Sequence, residues 1–135
     1  MPAITKKILI IDDDPISNLI SERIIKEYDE EIEVTAVTSG PKALILLQNS
    51  IDADAQGLPN IILLDINMPI MNGWEFLDEY RKLYPDPLKT IDLYMLTSSR
   101  FYQDTKLDKK YTEVKEFLTK PLSLNILNRI VSSNT

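Results

Sequence analysis

Residues 61–73 read IILLDINMPIMNG, and this stretch decides the fold. Four apolar residues, 61–64, run without polar alternation straight into an acid, Asp65. A strand of that kind is buried on both faces, as happens when helices cover a parallel sheet on two sides. Pro69, Asn72 and Gly73 then turn the chain, and Trp74, Leu77, Tyr80 and Leu83 recur at helical spacing until the prolines at 85 and 87. Strand, turn and amphipathic helix make one βα unit, and this strand is expected at the centre of the sheet.

The same unit recurs on either side. Residues 7–12 (KILIID) form a near-continuous apolar run that again ends in acid. Asp14 offers an N-cap and Pro15 suits the first helical position, and Ile16, Ile20 and Ile24 line up as the apolar face of the helix that follows. Residues 32–37 (IEVTAV) alternate, as a half-exposed edge strand does. Ser39 and Pro41 open a second helix with Ala43, Leu44 and Leu47 inward, and residues 49–60 read as a long surface loop. Residues 92–97 (DLYMLT) give a fourth strand, residues 104–111 a polar fourth helix, and residues 114–119 a fifth strand. Ser123 caps a last helix over 124–131, with Leu124, Leu127 and Ile130 or Val131 toward the sheet. The expected fold is α/β: one domain built on a doubly wound, five-stranded parallel sheet.

Composition removes several kinds of chemistry. The 135 residues carry 15 Lys+Arg against 21 Asp+Glu, a net charge of -6, so the clustered positive surface that binds nucleic acid or anionic membranes is not expected. With no cysteine and no histidine, disulfides, thiol catalysis, Ser-His-Asp chemistry and the usual transition-metal ligands are excluded. The N-terminus lacks the apolar stretch of a signal peptide, and no apolar run approaches the roughly 20 residues that span a bilayer. A cytoplasmic location is expected.

In a doubly wound sheet the functional crevice lies outside the carboxyl ends of the strands. Here those ends carry Asp12 and Asp13, Asp65, Thr97, and Lys120 followed by Pro121. Carboxylates about 5 Å apart repel by roughly 3 kcal/mol per pair at an effective dielectric near 20, so such a cluster needs a cation or raised pKa values. A hard divalent ion answers this, Mg2+ or Mn2+ in its place, since both take oxygen ligands. Three carboxylates and one ammonium leave a charge of about −2, which Mg2+ brings near zero, so that the site would tolerate a dianionic phosphoryl group.

Four motifs, IIDDDP, LLDINMPIMNG, YMLTSS and FLTKPLS, each at a strand end and in this order, resemble the receiver domain of bacterial two-component response regulators, CheY-like in standing alone as a single domain without an output domain. The resemblance covers essentially the whole chain. It implies the flavodoxin-like strand order 2-1-3-4-5, Asp65 as phosphoryl acceptor from a partner's phosphohistidine, and a protein that catalyses only its own phosphorylation and dephosphorylation rather than a metabolic enzyme. It further implies Asp13, Asp65 and the main-chain carbonyl of Asn67 on Mg2+, with Asp12 acting through water. Lys120 would pair with the phosphoryl group, Thr97 and Phe117 would form the switch, and the Lys120–Pro121 bond would be cis. The partners implied are a sensor histidine kinase or histidine phosphotransfer protein, and a downstream target met in trans on the face of the fourth helix, fifth strand and fifth helix, where Tyr102, Lys106, Tyr111, Lys115 and Asn125 fall.

Departures and alternatives remain at this level. Phe117 lacks the hydroxyl of the family's common Tyr, and Asn67 and Ser99 occupy positions that tune phosphoryl lifetime in the family. A degenerate receiver acting as a phosphorylation-independent binding module is opposed by the intact set of Asp13, Asp65, Thr97 and Lys120. A haloacid-dehalogenase-like phosphatase would need a second Asp where Asn67 stands, and a flavodoxin-like FMN carrier would be repelled by Asp12, Asp13 and Asp14.

Overall fold

Alternate residues of the first strand enter different cores, and this organises the molecule. Ile8 and Ile10 pack on one side of the sheet and Leu9 and Ile11 on the other, as a strand's period of two requires. The computed structural model describes residues 6–53, 57–83, 91–98 and 111–134. Within them the elements are β1 (Lys7–Ile11), α1 (Pro15–Tyr28), β2 (Glu33–Val37), α2 (Gly40–Asp52), β3 (Ile61–Asp65), α3 (Gly73–Leu83), β4 (Asp92–Thr97), β5 (Val114–Thr119) and α4 (Leu124–Ser133). All strand pairs are parallel, in the order β2-β1-β3-β4-β5. The polar helix expected over 104–111 lies largely outside the described residues.

The two cores confirm the double winding. On one side Leu9, Ile11, Ile62, Leu64, Leu93 and Met95 meet Ala43 and Leu47 of α2 and Phe76, Leu77 and Tyr80 of α3. On the other, Ile8, Ile10, Ile61, Leu63, Tyr94, Leu96 and Leu118 meet Ile25 of α1 and Leu127 and Ile130 of α4. Every residue of β3 is buried, as its unbroken apolar run foretells, whereas among the described residues β2 pairs with β1 alone and stays half-exposed. Helix starts follow the sequence signals: Asp14 accepts from the Ile16 amide, Ser39 from Lys42 and Ser123 from Ile126. At α3 the cap is reciprocal, with the Asn72 side chain accepting from the Glu75 amide at 2.9 Å and Glu75 accepting from the Asn72 amide at 3.0 Å.

Three expectations are corrected. Ile16 and Ile20 do not face the core: they are 69% and 47% exposed, and α1 instead buries Asn18, Ser21 and Ile25. Helical period shows which residues share a face but not which face turns inward, and here bonds from Ser17 and Asn18 to Asp12 set the rotation. The 49–60 loop is shorter than expected because α2 continues to Asp52, its last turn closed by the Ala53 amide on the Asn49 carbonyl. Leu124 is exposed, so α4 packs through Leu127 and Ile130.

Candidate functional site

The strand ends converge as expected. Carboxylate oxygens of Asp12, Asp13 and Asp65 lie within 4.8 Å of one another. Asp12 and Asp65 are buried and Asp13 is half-buried. Lys120, at the end of β5, reaches in from the other side, its Nζ 2.6 Å from Asp12 Oδ2 and 3.6 Å from Asp65 Oδ1. Thr97 ends β4 beside them, buried, and its carbonyl accepts from the Lys120 amide at 2.8 Å, which ties the two strand ends together. The Lys120–Pro121 bond is cis.

The carboxylates differ in environment. Asp12 is 1% exposed and fully committed: Oδ1 accepts from the Asp14 amide at 3.0 Å, and Oδ2 from Ser17 Oγ at 2.8 Å and from Lys120. Burial alone would raise its pKa, but these donors outweigh it and hold the carboxyl below its usual range. Asp65 goes the other way. Burial first, then the nearby charges of Asp12 and Asp13, push it up to about 6 against the pull of Lys120 and of the Asn67 amide. Lys120, although part-buried, is held above its ordinary value by Asp12 and then Asp65. A set of hard oxygen donors whose mutual repulsion is only partly cancelled by one ammonium fits a divalent cation.

Gly73 lets α3 start against the acceptor strand. A Cβ there would sit 2.9 Å from the Asp65 carbonyl oxygen and 2.6 Å from the Met95 methyl. The Gly73 amide donates to Ile66 O at 2.8 Å, and the intervening loop turns at Ile70, whose φ of 70° is unusual for a β-branched residue. Asn67 is exposed on this loop.

Phe117 stands in mid-β5, half-buried, opposite Met95 of β4. Its ring lies 6.0 Å from that of Trp74, which in turn lies 5.2 Å from Tyr111. Tyr111 is only 3% exposed: its hydroxyl donates to Asp78 at 2.8 Å, and the Arg81 guanidinium stacks 4.6 Å over the ring while pairing with Glu113. It therefore anchors α3 and cannot serve the partner face on which the sequence placed it. Lys115 and Asn125 of that face are exposed, Lys115 pairing with Asp92 at 3.2 Å; Tyr102, Lys106 and Ser99 lie outside the described residues. Ser17 and Asn18 were missed altogether. The available signal was polar side chains five and six residues beyond a strand-end acid, on the first turn that faces it.

The sequence model of the response regulator receiver domain matches residues 8–132. The chain belongs to that family. Response regulator Rcp1 of Synechocystis sp. is 30% identical over 126 residues, 93% of this chain and 84% of Rcp1. A two-component response regulator from Cytophaga hutchinsonii has a similar structure, with a TM-score of 0.84 and 32% identity, over 96% of both chains. The sensor histidine kinase CheAY of Helicobacter pylori is 30% identical over 92% of this chain, which spans only 14% of CheAY. The protein is thus a receiver domain of two-component signalling, a class whose members interact with histidine kinases and downstream targets. Among the described residues, no helix of this receiver is long and apolar enough to cross a membrane.

Proposed function

We propose that this receiver takes a phosphoryl group onto Asp65 from the phosphohistidine of a sensor kinase or histidine phosphotransfer protein, and switches or relays a two-component signal in the cytoplasm. The observation that carries this reading is the meeting of Asp12, Asp13 and Asp65 within 4.8 Å, with Lys120 beside them, at the carboxyl end of the sheet. Mg2+, or Mn2+, when bound there supplies the charge neutralisation that lets a carboxylate meet a phosphoryl group. Asp13, Asp65 and the Asn67 carbonyl are the residues to hold it directly. Asp12, with both oxygens already accepting bonds, would act on the ion indirectly.

The chain's own residues supply the rest. An ionised Asp65 oxygen forms the bond to phosphorus as the P–N bond to the donor imidazole breaks in line, the imidazole leaving with a proton from solvent. Lys120, 3.6 Å from Asp65, lies close enough to pair with a phosphoryl oxygen. The Thr97 hydroxyl turns to another, and Phe117 moves as Thr97 vacates its place. The module turns over no external metabolite; its output passes in trans over the face that includes Lys115 and Asn125. Intact-protein mass after incubation with acetyl phosphate tests this. A gain of about 80 Da is expected with Mg2+ and none with Asp65→Asn, and a gain in that variant would remove Asp65 from the role.

A further inference from the structure

The first turn of α1 turns polar side chains inward, beside isoleucines left in solvent. Ser17 Oγ donates to Asp12 Oδ2 at 2.8 Å, on the same oxygen that Lys120 holds at 2.6 Å. Asn18, buried, donates from Nδ2 to the main-chain oxygen of Asp12 at 2.9 Å, while its Oδ1 has no hydrogen-bond partner among the described residues. An amide buried with one end unsatisfied is costly, and packing alone would favour an apolar residue there. The arrangement makes sense if its return is the fixed position of Asp12.

We propose that Ser17 is a positioning residue for the divalent-cation site, acting through Asp12. This rests on the reading above that Mg2+ binds beside Asp12. Lys120 has two calls on it, Asp12 in the resting state and the phosphoryl group after transfer. When the ammonium leaves for the phosphoryl oxygen, Asp12 Oδ2 loses its closest donor, and the Ser17 hydroxyl is the side-chain donor that stays. Before and after that exchange alike, it helps hold the Asp12 carboxylate in place at the cation site. Hydrogen-bond donors behind a metal-site carboxylate typically govern about 10- to 100-fold in affinity.

The test is Mg2+ affinity by calorimetry and by the fluorescence of Trp74, the one tryptophan of the chain, for wild type, Ser17→Ala, Ser17→Thr and Ser17→Val. Thr and Val have nearly the same shape and differ in the hydroxyl, so a loss through misfolding would strike both. Ser17→Ala and Ser17→Val should bind Mg2+ about tenfold more weakly, with Ser17→Thr close to wild type and all four melting cooperatively without metal. Equal affinities for the Thr and Val variants, or wild-type affinity in Ser17→Ala, would overturn the assignment. Absence of Mg2+ binding by wild type itself would overturn the metal reading, and the role of Ser17 with it.

Discussion

Lys120 sits closer to Asp12 than to Asp65: its Nζ lies 2.6 Å from Asp12 Oδ2 and 3.6 Å from Asp65 Oδ1. The resting site thus stores its ammonium on a buried carboxylate whose other oxygen is also satisfied, and leaves Asp65 as the underpaired member. The difference between the two acids follows from this, one held below the usual range and the other raised to about 6.

Asp12→Ala should therefore do more than weaken metal binding. It strips a part-buried ammonium of its nearest partner, at a cost of about 3 kcal/mol by analogy with broken buried pairs, and frees Lys120 for Asp65. Urea denaturation should show the loss. Carboxyl NMR should show the Asp65 pKa falling from about 6, since one repelling charge has gone and the ammonium has moved closer. An Asp65 pKa that stays or rises would mean that Lys120 does not redistribute.

Asp65 makes the cation-free protein sensitive to pH. Its folded pKa of about 6 lies above the unfolded value near 3.9, so the folded state binds more protons across that window. The favourable contribution of protonated Asp65 is complete below about pH 4 and is lost as pH rises through 6. Asp12, shifted down, acts oppositely, and its contribution is lost only as pH falls below about 4. Asp65→Asn should accordingly gain about 2 kcal/mol at pH 7 without Mg2+, flatten the slope between pH 4 and 6, and lose most of the advantage when Mg2+ is added to both proteins. Thermal melts over that pH range check it, and an unchanged slope would refute it.

The loop behind Asp65 holds two residues with opposite expectations. Ile70 sits at φ 70° with 94% of its surface exposed, so its side chain offsets little of the strain of a left-handed backbone. Ile70→Gly should stabilise the fold by about 1 kcal/mol. Gly73→Ala should destabilise by about 2 kcal/mol, because the new Cβ meets the Asp65 carbonyl and the Met95 methyl. It should also slow labelling by acetyl phosphate by moving the acceptor strand end. Denaturation midpoints of the two variants shifting in the same direction would contradict this account of the loop.

What the sequence made legible was whatever depends on local period and on strand ends. β3, β4 and β5 span the residues expected of them, and the acids, Thr97 and Lys120 meet because a parallel sheet brings carboxyl ends together. What stayed hidden depends on rotation and long-range packing. Of the stripe Ile16–Ile20–Ile24 only Ile24 packs against the core, because the needs of Asp12 turned Ile16 and Ile20 outward. Tyr111 reads as a surface residue until α3 supplies Trp74, Asp78 and Arg81 around it. The left-handed backbone at Ile70 carries no signal, since a β-branched residue is the last to be expected there.

The central claim is that Asp65 is the phosphoryl acceptor, and trapping the acyl phosphate tests it most directly. The receiver is incubated with acetyl phosphate and Mg2+, reduced with borohydride, which converts an aspartyl phosphate to homoserine, and mapped by peptide mass spectrometry. Homoserine at position 65, dependent on Mg2+ and absent at positions 12 and 13, is the expected result. Homoserine at position 12 or 13, or at none of the three while wild type binds Mg2+, would contradict the account.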